Sequence, residues 1–243
     1  NPPFGHAGES SISDFFSGNP TGQGFEKKVS KAEWKDLISF EGNAQGFRIL
    51  NKNQYGLKLT SATLGAFTKY PCPSLFPERD KSKRSQKKFG FFQTEKNVFG
   101  SITEELNLNQ TSPVSWSRHP LAFLVEAVDD ICYSIIDLED GCNLGLVTYD
   151  EARTLFEGVI TRSTSKLGKL LHLNSLPEKI GFLRALAISD LMEDCSALFL
   201  DHENQMLQGK FDQALADECA SKDALRQIIK ISVEKIYKAR TVV

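Results

Sequence analysis

Apolar residues along this chain recur at helical rather than strand spacing almost everywhere. Residues 7–16 predict a short helix behind the rigid Pro2-Pro3 entry. Trp34, Leu37, Ile38, Phe40, Ala44, Phe47 and Ile49 fit one long helix from about Lys31 to Asn51, with Ser30 as its N-cap. A third helix spans Thr60 to Tyr70 and is stopped by Pro71 and Pro73. Residues 71–88 read as a loop rich in Pro and Lys, after which Glu95 to Leu106 resumes a helix. Pro120 opens a helix that closes before Gly141, and segments 149–167, 177–202 and 222–240 supply three more. Strand alternation is nearly absent, Lys210-Phe211-Asp212-Gln213 being too short to count, and no internal repeat or low-complexity linker occurs. The pattern predicts an all-α fold, an irregular multi-helix bundle forming a single domain with one long basic loop.

The segment from His119 to Asp140 is apolar nearly all round, which is the mark of a buried helix. It nevertheless carries six carboxylates, at Glu126, Asp129, Asp130, Asp137, Glu139 and Asp140, with no Lys or Arg between 119 and 152. A buried carboxylate without a cation is costly, so it holds a proton, caps a neighbour or binds a metal. Asp129, Tyr133 and Asp137 stand at i, i+4 and i+8 and therefore share one slowly drifting helix face. Asp129, between Val125, Val128, Ile131 and Cys132, is the position that a hard divalent cation would best explain. One carboxylate cannot hold a metal, and the four histidines show no HxxxH or HxH spacing. Further ligands would come from distant positions or from outside this segment.

The 243 residues are 40% hydrophobic, enough for a full core. A net charge of −2 and a pI near 6.2 give no global bias toward nucleic acid or anionic membranes. No apolar run reaches the length of about eighteen residues that a membrane span needs. The five cysteines are scattered and form no CxxC pair, which predicts free thiols in a reducing, cytoplasmic compartment. The chain starts without Met or a signal peptide and ends inside a helical pattern, so it reads as an internal segment of a longer protein.

Three further clusters bear on chemistry. His6 and Glu9 lie at i, i+3, and a carboxylate that fixes an imidazole's tautomer makes it an effective proton donor or acceptor near neutral pH. A helix entry in which Glu9 merely favours the N-terminus accounts for the same two residues. In Phe40 to Arg48 two glycines interrupt a helical pattern at a cost of about 1 kcal/mol each relative to Ala. They predict either tight helix packing or close approach of a ligand, with Asn43 and Gln45 offering amides. Lys69, Tyr70 and the cations from Lys81 to Lys88, followed by Phe89-Gly90-Phe91-Phe92, suit a polyphosphate or a single-stranded nucleic acid. Charge runs are mostly solvated; Lys69 and Lys88, flanked by apolar residues, are the better candidates.

Taken in order, five blocks resemble the HD-domain deoxynucleoside triphosphate triphosphohydrolases, in particular the bacterial dGTPase family. They are Asn1 to Glu9, Phe40 to Arg48, Gly56 to Tyr70, Lys88 to Phe92, and His119 to Asp140. The resemblance implies a helical bundle of the HD-domain type. It further implies metal-dependent hydrolysis of dGTP, or of dNTPs broadly, to deoxynucleoside and triphosphate by water attack at the α-phosphate. In that family an upstream His and a His-Asp pair join a later Asp on a divalent ion, Mg²⁺ or Mn²⁺, and Asp129 resembles that later Asp. The other ligands would fall before Asn1. His6 resembles the catalytic histidine and Glu9 its supporting carboxylate, while Tyr133 and Asp137 resemble the residues that meet the deoxyribose. Lys69 and Lys88 resemble phosphate-binding lysines, with Asn43 and Tyr70 as further substrate contacts. A homo-oligomer, with single-stranded nucleic acid as an additional partner at the basic surface and no membrane association, completes the expectation. The alternatives are another HD-type nucleotide phosphohydrolase or phosphodiesterase, and a non-catalytic helical module that binds nucleotides or nucleic acid.

Overall fold

The computed structural model of the protein describes residues 5–52 and 58–239. Residues 1–4 of the first block, Gly56 and Leu57 of the third, and Arg240 at the end of the last expected helix lie outside the described residues. The helices are α1 (Gly5–Gly18), α2 (Pro20–Gln23), α3 (Lys31–Ile38), α4 (Gly42–Asn51), α5 (Ser61–Phe67) and α6 (Lys96–Glu105). After them come a two-stranded antiparallel ribbon, β1 (Gln110–Ser112) with β2 (Ser115–Trp116), and α7 (Pro120–Asn143). Then follow α8 (Tyr149–Val159), α9 (Leu176–Asp201), α10 (Glu203–Leu207), α11 (Leu215–Glu218) and α12 (Lys222–Ile231). The fold is all-α, as the spacing predicts. Among the described residues no helix is long and apolar enough to cross a membrane.

The chain divides into two compact units, Asn1–Phe123 with His202–Gln213, and Leu124–Asp201 with Ala214–Val243. In the first, two buried clusters stand out among the described residues. One gathers Ala44, Cys72, Phe76, Phe89 and Phe92; the other gathers Phe47, Leu64, Phe91, Phe99 and Ile102. Phe91 stacks on Phe99 with centroids 4.4 Å apart, and Phe47 meets Phe99 edge-on at 5.6 Å. The second unit buries Ile131, Ile135 and Leu138 of α7 together with Phe156, Leu183, Leu191 and Ile228. All five cysteines are free thiols, four of them buried.

Several boundaries differ from the sequence expectation, each for a reason visible in the contacts. The long helix from Lys31 to Asn51 is two helices, broken at Ser39 to Glu41. Ser30 does cap the first, in a capping box with Glu33: Glu33 N donates to Ser30 Oγ at 3.3 Å and Ser30 N to Glu33 Oε2 at 2.8 Å. Glu41 then starts a new helix in extended backbone, with its side chain accepting from Asn43 N at 3.4 Å. The helix expected to reach Tyr70 ends at Phe67, where the Thr68 hydroxyl bonds back to the Leu64 carbonyl. Gly141 does not end α7; it is the place where α7 meets the side chain of Ile236, which any Cβ there would strike. The helix expected over 149–167 stops at Val159, because Asp190 accepts from Arg162 N at 2.7 Å and Ser163 N at 2.9 Å. Residues Thr164–His172 continue as a 3₁₀ helix. The last helix leaves α geometry at Ser232 for a single π turn over Ser232–Ile236, and the β1–β2 ribbon was not legible as strand.

Asp36 of α3 ties its helix to the chain on either side of the basic loop. Its carboxylate accepts from the Ser74 hydroxyl at 2.5 Å and from Gln93 N at 2.6 Å. Burial pushes its pKa above the ordinary value of 3.8, only partly offset by those two bonds. The folded state therefore holds a proton that the unfolded state has already lost. Stability contributed at this position is lost as pH climbs from the ordinary aspartate value through the raised one. In urea titrations across the acidic range, Asp36→Asn should flatten that fall; an unchanged pH slope would show that Asp36 is not its source.

Candidate active site

Of the nine residues singled out from sequence, His6, Glu9, Asn43, Lys69, Tyr70 and Lys88 lie in the first unit. Gly5, at φ 63°, takes a backbone conformation that favours glycine and delivers the chain straight into α1. His6 is exposed in the first turn of that helix, and Glu9, one turn on, is buried. The Glu9 carboxylate reaches the start of α4 and accepts from Gly42 N at 2.9 Å. Beside it Glu41, also buried, accepts from Asn43 Nδ2 at 2.7 Å and pairs with Lys88 Nζ at 3.2 Å. Three sequence blocks separated by dozens of residues thus converge on two carboxylates.

The segment of Lys88 is held against that of Lys69 and Tyr70. Gly90 N donates to the Cys72 carbonyl at 3.1 Å, and a Cβ at Gly90 would collide with the Tyr70 carbonyl oxygen. Only glycine allows that approach. Tyr70 is buried, and Lys69, just past the end of α5, is half-buried. Gly46, the second glycine of α4, is accounted for by packing: a Cβ there would stand 2.6 Å from the ring of Phe67. Gly42 gives its N–H to the Glu9 carboxylate, a bond that does not itself require glycine. The rings of Phe89, Phe91 and Phe92 are all buried, so they belong to the core and offer no stacking surface for bases.

Asp129, Tyr133 and Asp137 lie in the second unit, on α7. That helix is not buried all round: Val125, Val128, Tyr133 and Ile136 are exposed, and Asp129 shares their exposure. Of the acids near its end, Glu139 is buried and paired with Arg184 at 2.7 Å, a cation that lies far along the sequence on α9. Asp137 is half-buried and accepts a hydrogen bond from the Tyr237 hydroxyl, and the Tyr237 ring lies 6.2 Å from that of Tyr133. Burial first, and the neighbouring Asp137 second, push the Tyr237 hydroxyl well above the ordinary tyrosine range, so it stays a proton donor. Its place is fixed by the π turn before it, where Ile236 fits against Gly141 and Lys235 Nζ pairs with Glu151 at 2.7 Å. Sequence reading missed two members of this arrangement. An acid directly ahead of a helix start was a usable signal for Glu41. Tyr237 sat within a helical pattern and carried no signal.

Among the described residues no three His, Cys, Asp or Glu side chains come together in a way that could hold a metal ion. Asp129 offers a single carboxylate, so the described residues do not by themselves fit a divalent cation.

No family model matches the chain. It is, however, similar along its length to curated bacterial proteins. It is 38% identical over 259 aligned residues to a deoxyguanosinetriphosphate triphosphohydrolase-like protein of Synechocystis, an alignment covering all of this chain and 57% of the relative. A protein of the same description from Pseudomonas aeruginosa is 37% identical, with 98% of the chain and 55% of the relative aligned. A deoxyguanosinetriphosphate triphosphohydrolase of Yersinia pseudotuberculosis is 28% identical, with 98% and 54% aligned. The chain spans about half the length of the curated relatives it matches.

Replacing Glu41 by Ala should lower the unfolding free energy by about 1–2 kcal/mol, because the half-buried donors of Asn43 and Lys88 lose their acceptor; chemical denaturation measures it. Tyr237→Phe should leave the far-ultraviolet circular dichroism unchanged while freeing the Asp137 carboxylate. The Asp137 carboxyl resonance in an NMR spectrum would then shift, because its hydrogen-bond donor is gone.

Proposed function

This chain belongs to the deoxyguanosinetriphosphate triphosphohydrolase-like family, and from that premise we propose that the whole protein hydrolyses dGTP, or dNTPs more broadly, to deoxynucleoside and triphosphate. The observation that carries the reading is the convergence of Glu9, Glu41, Asn43 and Lys88, because a set of blocks matched in sequence also meets in space. In this reading water attacks the α-phosphorus and the bond to the 5′-oxygen breaks. The nucleoside 5′-oxygen takes up a proton, and triphosphate leaves with all three phosphorus atoms. His6, exposed at the head of α1, is the group that gives that proton, and Glu9 fixes the helix end that presents it.

Lys69 and Lys88 supply positive charge to the phosphate chain. Glu41 holds Lys88 Nζ at 3.2 Å before substrate arrives, so little reorganisation is needed at the moment of reaction. Asn43, held by the same carboxylate, and Tyr70 border that region. On α7, Asp137 accepts the sugar 3′-hydroxyl, and the rings of Tyr133 and Tyr237 flank it. Tyr237 must then share or surrender the carboxylate when a sugar is seated. A Mg²⁺ or Mn²⁺ cofactor for the whole protein would take Asp129 as its ligand from this chain and draw the others from outside the described residues. The exposed apolar stripe of Val125, Val128 and Ile136 is the kind of surface that a homo-oligomer covers.

The deciding experiment supplies full-length protein with Mn²⁺ and dGTP and separates the products by ion exchange. Triphosphate and deoxyguanosine are the expected products, with Lys88→Ala lowering kcat/KM by about 10²-fold and Asp129→Ala by about 10³-fold or more. Orthophosphate or pyrophosphate would instead favour a different nucleotide phosphohydrolase. Intact dNTPs together with tight binding of single-stranded DNA would favour a non-catalytic module.

A further inference from the structure

Beside the Lys88–Glu41 pair, α3 and the loop over residues 74–89 line a cavity of about 410 Å³ within the first unit. Its wall carries Lys35, Arg79, Lys81, Lys87 and Lys88 against one carboxylate, Glu41. The five cations are not equivalent. Arg79 is spent on the backbone, donating to the carbonyls of Lys88 at 2.7 Å, Pro73 at 2.6 Å and Ser74 at 3.1 Å. Lys88 has its counter-charge in Glu41. Lys35, Lys81 and Lys87 have no ion pair among the described residues, although they face one recess. Asp80, next to Lys81 in the chain, is occupied by the Ser82 N–H at 2.9 Å and the Ser82 hydroxyl at 2.6 Å.

Like charges gathered on a concave wall repel one another, and the field inside such a recess is focused rather than dispersed. An anion with several charges relieves that repulsion at once. The volume lies within the range of small-molecule sites, roughly 300–1,000 Å³. The shape also selects among polyanions. Phe76 and Phe89 line the recess but are buried, 7% and 4% exposed, so no ring is presented on which a base could stack. An extended nucleic acid therefore gains little here, whereas a compact chain of phosphates meets three unneutralised lysines.

We propose that this cavity is a second anion site that binds a small polyphosphate, either free or as the tail of a nucleotide. It goes beyond the proposed reaction and shares only Lys88 and its partner Glu41 with the site described above. An occupant would lie beside the Lys88–Glu41 pair, so its presence is felt at a residue of the proposed phosphate-binding set.

The test is calorimetric titration of the full-length protein with inorganic tripolyphosphate. The comparison is a triple variant, Lys35→Ala with Lys81→Ala and Lys87→Ala, and a single variant, Lys69→Ala, outside the cavity. A thermal melt of the triple variant establishes that it folds. Two binding events are expected in the wild type. The triple variant should lose one of them, with an affinity at least about tenfold weaker, and Lys69→Ala should keep that one. Unchanged stoichiometry and affinity in the triple variant would overturn the proposal. So would a triple variant that binds tripolyphosphate normally but loses a single-stranded oligonucleotide. A protein inert toward dGTP would remove the proposed reaction without altering this titration.

Discussion

The carboxylate of Glu41 stands almost out of reach of water, and the first unit is arranged around keeping it satisfied. A buried charge persists only when it is paired and hydrogen-bonded. Here the pairing comes from Lys88 and the bonding from the backbone and side chain of Asn43. Because each partner lies on a different stretch of chain, satisfying one charge fixes α4 and the far end of the basic loop together. Glu9 extends the same logic from α1 to the neighbouring N–H. Removing a single negative charge would leave a lysine, an amide and a helix start without the group that orients them.

In the second unit Asp137 is the comparable centre, but its satisfaction is of another kind. It is only half-buried, and its partner is a neutral hydroxyl rather than a cation. A hydroxyl is easier to displace than an ammonium group, since no opposite charge is stranded when it leaves. Under the proposed reaction, a charge-paired arrangement would suit the holding of phosphate, and an exchangeable, neutral one the admission and release of a sugar.

Much of the fold was legible in the residues because helical periodicity is a local property. The Ser30 cap, the start at Pro120 and the beginnings of α8 and α9 all stood where spacing put them. What failed was the ending of helices, and several of those endings trace to a partner far along the chain. Asp190 drew Arg162 and Ser163 out of helical register, Gly141 stayed inside α7 as the contact for the Ile236 side chain, and Glu41 opened a second helix where one was expected. The site followed the same rule. Glu9, Asn43 and Lys88 could be singled out by residue type and neighbours, but that Glu41 joins them depends on contacts spanning dozens of residues. The spacing on α7 put Asp129, Tyr133 and Asp137 on one face, and nothing local pointed to Tyr237, exactly one hundred positions beyond Asp137.

The first turn of α4 has a consequence for how anions are met. A helix start is ordinarily a ready receptor for phosphate, because its first N–H groups point outward and carry partial positive charge. In this chain two of those groups are already taken, Gly42 by Glu9 and Asn43 by Glu41. The molecule has thus occupied part of its backbone receptor with its own acids, and under the proposed function recognition would fall to flexible ammonium groups. Attraction built that way is long in range but weakly directional, and it fades as ionic strength rises.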